Sequence, residues 1–327
     1  MTERTEHDVD LLVVGAGPTG LFAAYYAGFR GMSVAVADAL PEPGGQITAM
    51  YPEKTILDVA GMPAVRGRDL VASLVEQAGQ YEPTYLLGRA ITDLDRTGSG
   101  LRAVTDREVV RAGAALITAG IGEFTPRPLP AGGEWLGSGL VHFIPDLDVH
   151  SGRDVVVVGG GDSAFDWALA LHPIARSVSL VHRRARFRAH EGLVREVADL
   201  GVPLITEAEV AGIRGDDTGV HEVDLTLSDG SSRALPAQTV VAALGFLADL
   251  GPIESWGLEL DKRSIRVDTT MRTNRERVYA AGDVAAYPGK VKLIATGFGE
   301  AATAVNNIAV ELNPGTHLFP GHSTNLG

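Results

Sequence analysis

The sequence predicts an α/β protein built from two Rossmann-like, three-layer ββα dinucleotide-binding domains, the second inserted in the first. Three observations carry that prediction. A glycine-rich turn, Gly15-Ala-Gly-Pro-Thr-Gly20, lies between an apolar strand at Leu11–Val14 and a helical pattern. A second turn, Gly159-Gly-Gly-Asp-Ser-Ala164, repeats that context after the apolar run Val155–Val158. A later apolar run, Val278–Ala281, ends in Gly282-Asp283 ahead of a closing helix, as a chain returning to its first domain requires.

The elements follow in order. Strand Leu11–Val14 leads to a helix from about Pro18 to Gly31, then to strand Ser33–Ala37 and an irregular Pro41–Gln46 stretch. Residues 68–81 have helical spacing, with Leu70, Leu74, Val75 and Ala78 on one face. From Tyr85 to Gly113 short alternating runs and a Thr97-Gly-Ser-Gly100 turn predict antiparallel strands, followed by a buried strand at Ala115–Thr118. The proline- and glycine-rich stretch from Thr125 to Gly139 marks the crossover. The second domain repeats the pattern, with helix Ser163–Leu171, a strand at Val178–Val181, a helix from about Glu191, meander strands near Val210–Leu227 and strand Thr239–Leu244. The expected boundaries are 1–120 with 246–327 for the first domain and 121–245 for the nested one. The closing helix is expected at Gly299–Leu312.

Composition limits the function classes. The 327 residues carry a formal net charge of −13, with 45% hydrophobic and 21% charged content, which suits a turn-rich globular enzyme. No continuous basic face is available for nucleic acid. With no cysteine, disulfides, thiolate metal sites and thiol catalysis are excluded, and no metal is expected. No apolar run reaches the ~20 residues that span a bilayer. The start, Met1–Asp10, lacks the apolar stretch of a signal peptide, so a cytoplasmic protein is expected.

The residues that end the second strand of each unit differ in charge. The first such strand ends at Asp38 and the second in His182-Arg183-Arg184, with Arg188 close behind. At this position a carboxylate grips the free hydroxyls of a ribose, whereas arginine forks match a 2′-phosphate. Gly15, Gly17 and Gly20 on one side, and Gly159 and Gly161 with Asp162 and Ser163 on the other, would bring backbone close to a pyrophosphate at a helix N-terminus. The expected ligands are therefore FAD on the first unit and NADPH on the second. Asp283 is placed to accept a hydrogen bond from a sugar-like hydroxyl chain. The closing helix can aim its positive end at a flavin ring edge.

On these residues the chain resembles the thioredoxin reductase-like class of ferredoxin–NADP reductases, nearly end to end. The carriers are both glycine turns, Gly44-Gly-Gln46, Met50-Tyr-Pro-Glu-Lys54 with Asp58-Val-Ala-Gly61, His182-Arg-Arg184 with Phe187-Arg188, Ala281-Gly-Asp283 and Pro320-Gly-His322-Ser-Thr324. The resemblance implies FAD contacts at Thr19, Asp38, Gln46, Tyr51, Ile91, Phe124, Asp283 and Thr324. It places Tyr51 and His322 on the two faces of the isoalloxazine, the tail coming from the partner in a homodimer. Thioredoxin reductases carry a Cys-x-x-Cys pair before the second glycine turn, and here that region reads Leu140-Val-His-Phe-Ile-Pro-Asp-Leu147. Without a dithiol, electrons must leave the flavin directly for an external acceptor, and the resemblance implies ferredoxin or flavodoxin. Two other readings share these motifs: an NADPH oxidase or flavin/quinone reductase, and a non-catalytic flavin redox sensor.

Overall fold

In a computed structural model, which describes residues 4–321, the chain forms two compact units. One comprises residues up to Glu123 together with those from Ala248 onward, and the other is Phe124–Leu247. The crossings therefore fall at 123/124 and 247/248 rather than at 120/121 and 245/246.

The first unit opens with β1 (Thr5–Val14), α1 (Pro18–Phe29), β2 (Val34–Asp38) and the short α2 (Gln46–Met50). Then come α3 (Gly67–Gly79), β3 (Thr84–Leu87), β4 (Asp93–Thr97), β5 (Gly100–Val104) and β6 (Glu108–Ile117). The nested unit contributes β7 (Leu140–Val141), β8 (Asp154–Gly159), α4 (Asp162–Leu171), β9 (Ser177–Val181) and α5 (Glu191–Asp199). It continues with β10 (Leu204–Ile205), β11 (Ala208–Asp216), β12 (Gly219–Leu227), β13 (Ser232–Pro236) and β14 (Thr239–Ala243). The chain then returns to the first unit with β15 (Val278–Ala280) and α6 (Ile294–Leu312).

Both units are sandwiches of a parallel sheet, a helical layer and an antiparallel meander. In the first, the strand order is β3-β2-β1-β6-β5-β4, with β15 pairing the C-terminal part of β6. Alternate residues of β1 serve the two faces, as the two-residue strand period demands. Leu11 and Val13 pack with α1 and α6, while Leu12 and Val14 pack under β4 and β5. The second unit copies this plan with sheet β7-β14-β8-β9-β10 and meander β11-β12-β13. Every residue of β8 is buried, which is why it reads as an unbroken valine run rather than an alternation.

Several expected elements shift. Residues 108–117 form one ten-residue strand where a break near Gly113 was expected, because β1 supports it along its whole length. Tyr85 belongs to a strand parallel to β2, so the antiparallel region starts only at Asp93. On α3 the buried face includes Val71, whereas Val75 is partly buried. The closing helix begins at Ile294, one turn or more before Gly299. Gly297 is helical because its missing side chain makes room for Thr19: a Cβ there would sit 2.3 Å from Thr19 Oγ1.

Candidate functional site

The first glycine turn divides its glycines between architecture and an open approach. Gly15 has φ +113°, and a Cβ on it would lie 2.5 Å from the Thr118 carbonyl oxygen; one on Gly20 would lie 1.9 Å from the Gly15 carbonyl. Gly17, the N-cap of α1, faces nothing within 4 Å. The α1 amides beyond it are the donors that an anion at a helix N-terminus would use. Thr118 closes the turn from β6, its hydroxyl donating to the Gly15 carbonyl at 2.8 Å.

Asp38 ends β2 with one carboxylate oxygen on the Ala16 amide at 2.6 Å and the other on the Leu40 amide at 2.8 Å. Burial raises its pKa, and the two amide hydrogen bonds pull the other way. A carboxylate has about four lone-pair sites, so acceptor capacity is left for hydroxyl donors.

Several other expected contacts gather round this turn. The Gly44 amide donates to the Ala16 carbonyl at 2.8 Å, which docks the 41–45 loop on the turn. A Cβ on Gly45 would meet Gly17 Cα at 3.0 Å. Gln46 opens α2 with its side-chain amide against Gly120, where a Cβ would lie 2.8 Å from Nε2. Tyr51 follows α2 half-buried, and burial, then Asp283 and Asp58, push its phenol up to about 12. It therefore stays protonated at any working pH. Thr19 is wedged between Gly282 and Gly297, next to the turn that carries Asp283.

Two further expected contacts have side chains packed into hydrophobic surroundings. Ile91 is 5% exposed, its side chain part of the core under the meander with Leu94, Leu101 and Trp256. Phe124 belongs to the second unit, where its ring packs edge-on against Phe246 at 5.9 Å between centroids. His322 and Thr324 lie outside the described residues.

The second turn repeats the division. A Cβ on Gly159 would lie 2.5 Å from the Ala243 carbonyl oxygen, and one on Gly160 would be 2.3 Å from the His182 ring. Gly161, the N-cap of α4, again faces nothing within 4 Å. Asp162 accepts the His190 amide at 2.8 Å, and Ser163 is exposed in the first turn of α4. The Arg188 and Ala189 amides both donate to the Gly160 carbonyl, at 2.7 and 3.2 Å. The basic loop is thus tied to the glycine turn. Arg183, Arg184 and Arg188 are exposed, with no carboxylate paired to them among the described residues. Burial lowers the pKa of His182, and the nearby arginines lower it further.

An open hollow of about 640 Å³, lined by Trp135, Arg153, Asp216, His221 and Gln238 among others, lies by the β11–β12 hairpin. It sits near Asp154, where β8 starts, whereas open parallel sheets bind ligands beyond the strands' carboxyl ends. No cluster of three or more histidine, aspartate or glutamate side chains among the described residues is placed to hold a metal ion.

Residues 9–307 match the family model of the pyridine nucleotide-disulphide oxidoreductases. Over 98% of both chains the sequence is 78% identical to a ferredoxin–NADP reductase of Saccharopolyspora erythraea. The chain belongs to this family, in its ferredoxin–NADP reductase branch. A second such reductase, from a Nocardioides species, is 62% identical over 97% of both chains. Among solved structures, the thioredoxin reductase of T. acidophilum superposes with a TM-score of 0.79 at 26% identity, covering 93% of this chain and 99% of that one. The Lactococcus lactis thioredoxin reductase, at 23% identity and a TM-score of 0.77, shares the fold. This ferredoxin–NADP reductase branch member has the fold of those thioredoxin reductases and no cysteine, so it has no dithiol of its own.

Sequence reasoning passed over three polar groups near these turns. Thr118 was legible only as the last residue of the expected Ala115–Thr118 strand, one position past the end of β6. His182 was visible as the residue before the arginines, but not as the ring that fills the space above Gly160. Glu300 left a signal, a carboxylate in an apolar helical stretch, which the expected start at Gly299 hid.

Proposed function

We infer that the chain is an NADPH-dependent FAD oxidoreductase that passes electrons to ferredoxin or flavodoxin. One observation carries the reading: each unit holds an open middle glycine at a helix N-terminus, and the strand beyond it ends in an acid in one unit and is followed in the other by arginines paired to no carboxylate among the described residues. Both cradles fit their ligands. A side chain at Gly17 or Gly161 would occupy free space, the space a pyrophosphate needs to reach the helix amides.

When bound, FAD supplies the exchange of one hydride for two single electrons. The chain supplies position. In this reading Gly15, Gly17 and Gly20 bring α1 against the FAD pyrophosphate, and Asp38 holds the adenosine ribose. Thr19 and Asp283 bind the ribityl side, Gln46 the ring edge, and Tyr51 one face of the ring. Tyr51 keeps its phenolic proton, so it adds no charge to that face. Ile91 contributes backbone alone, Phe124 lines the crossing, and Thr324 and His322 belong to the tail that a partner copy would bring to the other face.

On the second unit Gly159, Gly161, Asp162 and Ser163 receive the NADPH pyrophosphate, while Arg183, Arg184 and Arg188 receive its 2′-phosphate. No side chain needs to act as general acid or base, because the protein's work is to align donor and acceptor at about 3–3.5 Å. A homodimer and a cytoplasmic location complete the proposal. No helix among the described residues is long and apolar enough to cross a membrane.

The decisive experiment pairs a titration with a double substitution. NADPH should bleach the purified yellow protein and drive cytochrome c reduction that depends on added ferredoxin. Charge-assisted hydrogen bonds contribute about 1.5–3 kcal/mol each. Arg183→Ala with Arg184→Ala should therefore reduce the NADPH-over-NADH ratio of kcat/KM by about 10²-fold or more. An unchanged ratio refutes the phosphate assignment, and ferredoxin-independent turnover refutes the acceptor.

A further inference from the structure

Beside Gly282–Asp283 lies a polar network that the cofactor contacts above leave unused. Glu300 stands on the second turn of α6 and is 5% exposed. One of its oxygens accepts the Gly282 amide at 2.7 Å; the other accepts the Tyr287 hydroxyl at 2.5 Å and the Lys290 ammonium. The Lys290 side chain is 7% exposed, so both charges of the pair are withdrawn from water. Lys290 also lies 5.5 Å from the centre of the Tyr287 ring.

A buried ion pair is a poor stabilising device. Its desolvation cost offsets its attraction, and apolar residues of equal volume often do as well. Its placement therefore asks for a different account. Gly282 has φ +81° and starts the short turn, Gly282–Val284, that carries Asp283. Thr19 fits against that glycine, where a Cβ would lie 2.9 Å from Thr19 Oγ1. Glu300 grips the amide of the same residue. Lys290 ties the connection from Tyr287 to α6 onto the same carboxylate, its own amide donating to the Tyr287 carbonyl at 3.1 Å. One carboxylate thus fixes the Asp283 turn and the segment that follows it.

We propose that Glu300 is the charge partner that keeps the buried Lys290 ammonium from raising the reduction potential of the bound FAD, while its other oxygen anchors the Gly282–Asp283 turn. The proposal rests on the FAD reading above. Screening is weak where water is excluded, so charges in such a place act over several ångströms. As paired, Glu300 and Lys290 cancel. Removing the carboxylate's charge leaves the ammonium uncompensated, and an uncompensated cation favours the electron-rich, reduced state of the cofactor.

The test is a redox titration of the flavin-loaded protein beside Glu300→Gln and the double variant Glu300→Gln/Lys290→Gln. Glu300→Gln should raise the reduced-to-oxidised ratio at fixed poise about tenfold or more, about 30 mV for a two-electron couple. The double variant, neutral again, should return to within about threefold of the parent ratio. A merely structural role predicts the double variant to be displaced at least as far as the single one. That result, or an unmoved potential in Glu300→Gln, overturns the proposal. Hydrogen exchange on the parent holoprotein decides independently of whether the variants fold: the Gly282 amide should be protected, and rapid exchange there rules out the anchor. A parent protein that takes up no FAD sinks the cofactor reading itself, before any variant is made.

Discussion

Alanine at Gly161 separates the glycine that serves a ligand from those that serve the chain. A Cβ on Gly161 meets no atom within 4 Å, and the residue sits at φ −104°, ψ 176°, which any L-residue adopts. The folded protein accepts the methyl, and the unfolded chain loses freedom, a stabilisation of about 0.4–1 kcal/mol. The thermal midpoint of the coenzyme-free protein should rise by about 1–4 °C. NADPH meets the opposite result. The methyl takes the space through which a pyrophosphate oxygen reaches the α4 amides, and one lost charge-assisted hydrogen bond costs about 1.5–3 kcal/mol. At about 1.4 kcal/mol per decade, the NADPH dissociation constant should rise about 10- to 150-fold. Calorimetric titration reads the affinity, and a thermal melt reads the fold. Gly159→Ala is the contrast: its Cβ would stand 2.5 Å from the Ala243 carbonyl, so it should lower the midpoint. Unchanged NADPH affinity in Gly161→Ala, or a midpoint that falls, refutes the division of labour.

Two further outcomes follow from the burial pattern. His150 and His182 both have pKa values lowered chiefly by burial, so they are neutral in the native state above about pH 6.5. The unfolded chain takes up their protons first as the pH falls. Stability is therefore held above about pH 6.5 and lost as the pH drops through the depressed native values. Thermal melts from pH 7.5 to 5 should show this decline, and His150→Gln/His182→Gln should flatten it; an identical slope in that variant contradicts the assignment. Ile91→Ala should cost about 2–5 kcal/mol of stability by opening a cavity under the meander, and FAD affinity per folded molecule should change little. A stable variant that has lost FAD would instead make the Ile91 side chain a ligand contact.

The two-unit plan was legible because both dinucleotide turns carry their own syntax: an apolar strand, spaced glycines, a helix start. The buried valines of β8 and the leucines and valines of β1 have no other home than a covered sheet. What escaped was set by partners distant in sequence. Nothing local in Gly113 tells that β6 runs through it; the continuous support of β1 decides that. Gly297 reads as a helix breaker until Thr19, far away in the chain, fills the space its missing side chain leaves. Asp38 and the arginines were readable because charge at a strand end is a local fact. Glu300 was not, since its meaning depends on Gly282, Tyr287 and Lys290 coming together.

The two amides that the 188–189 segment gives to the Gly160 carbonyl hold the backbone of the basic loop against the glycine turn. On the proposed reading, a coenzyme arriving at this loop meets a backbone already held and finds chiefly guanidinium rotamers to freeze. The entropic toll of association is correspondingly small. Discrimination between the two pyridine coenzymes would on that reading reside in a handful of outward side chains mounted on a finished frame, where they can be exchanged without rebuilding what carries them.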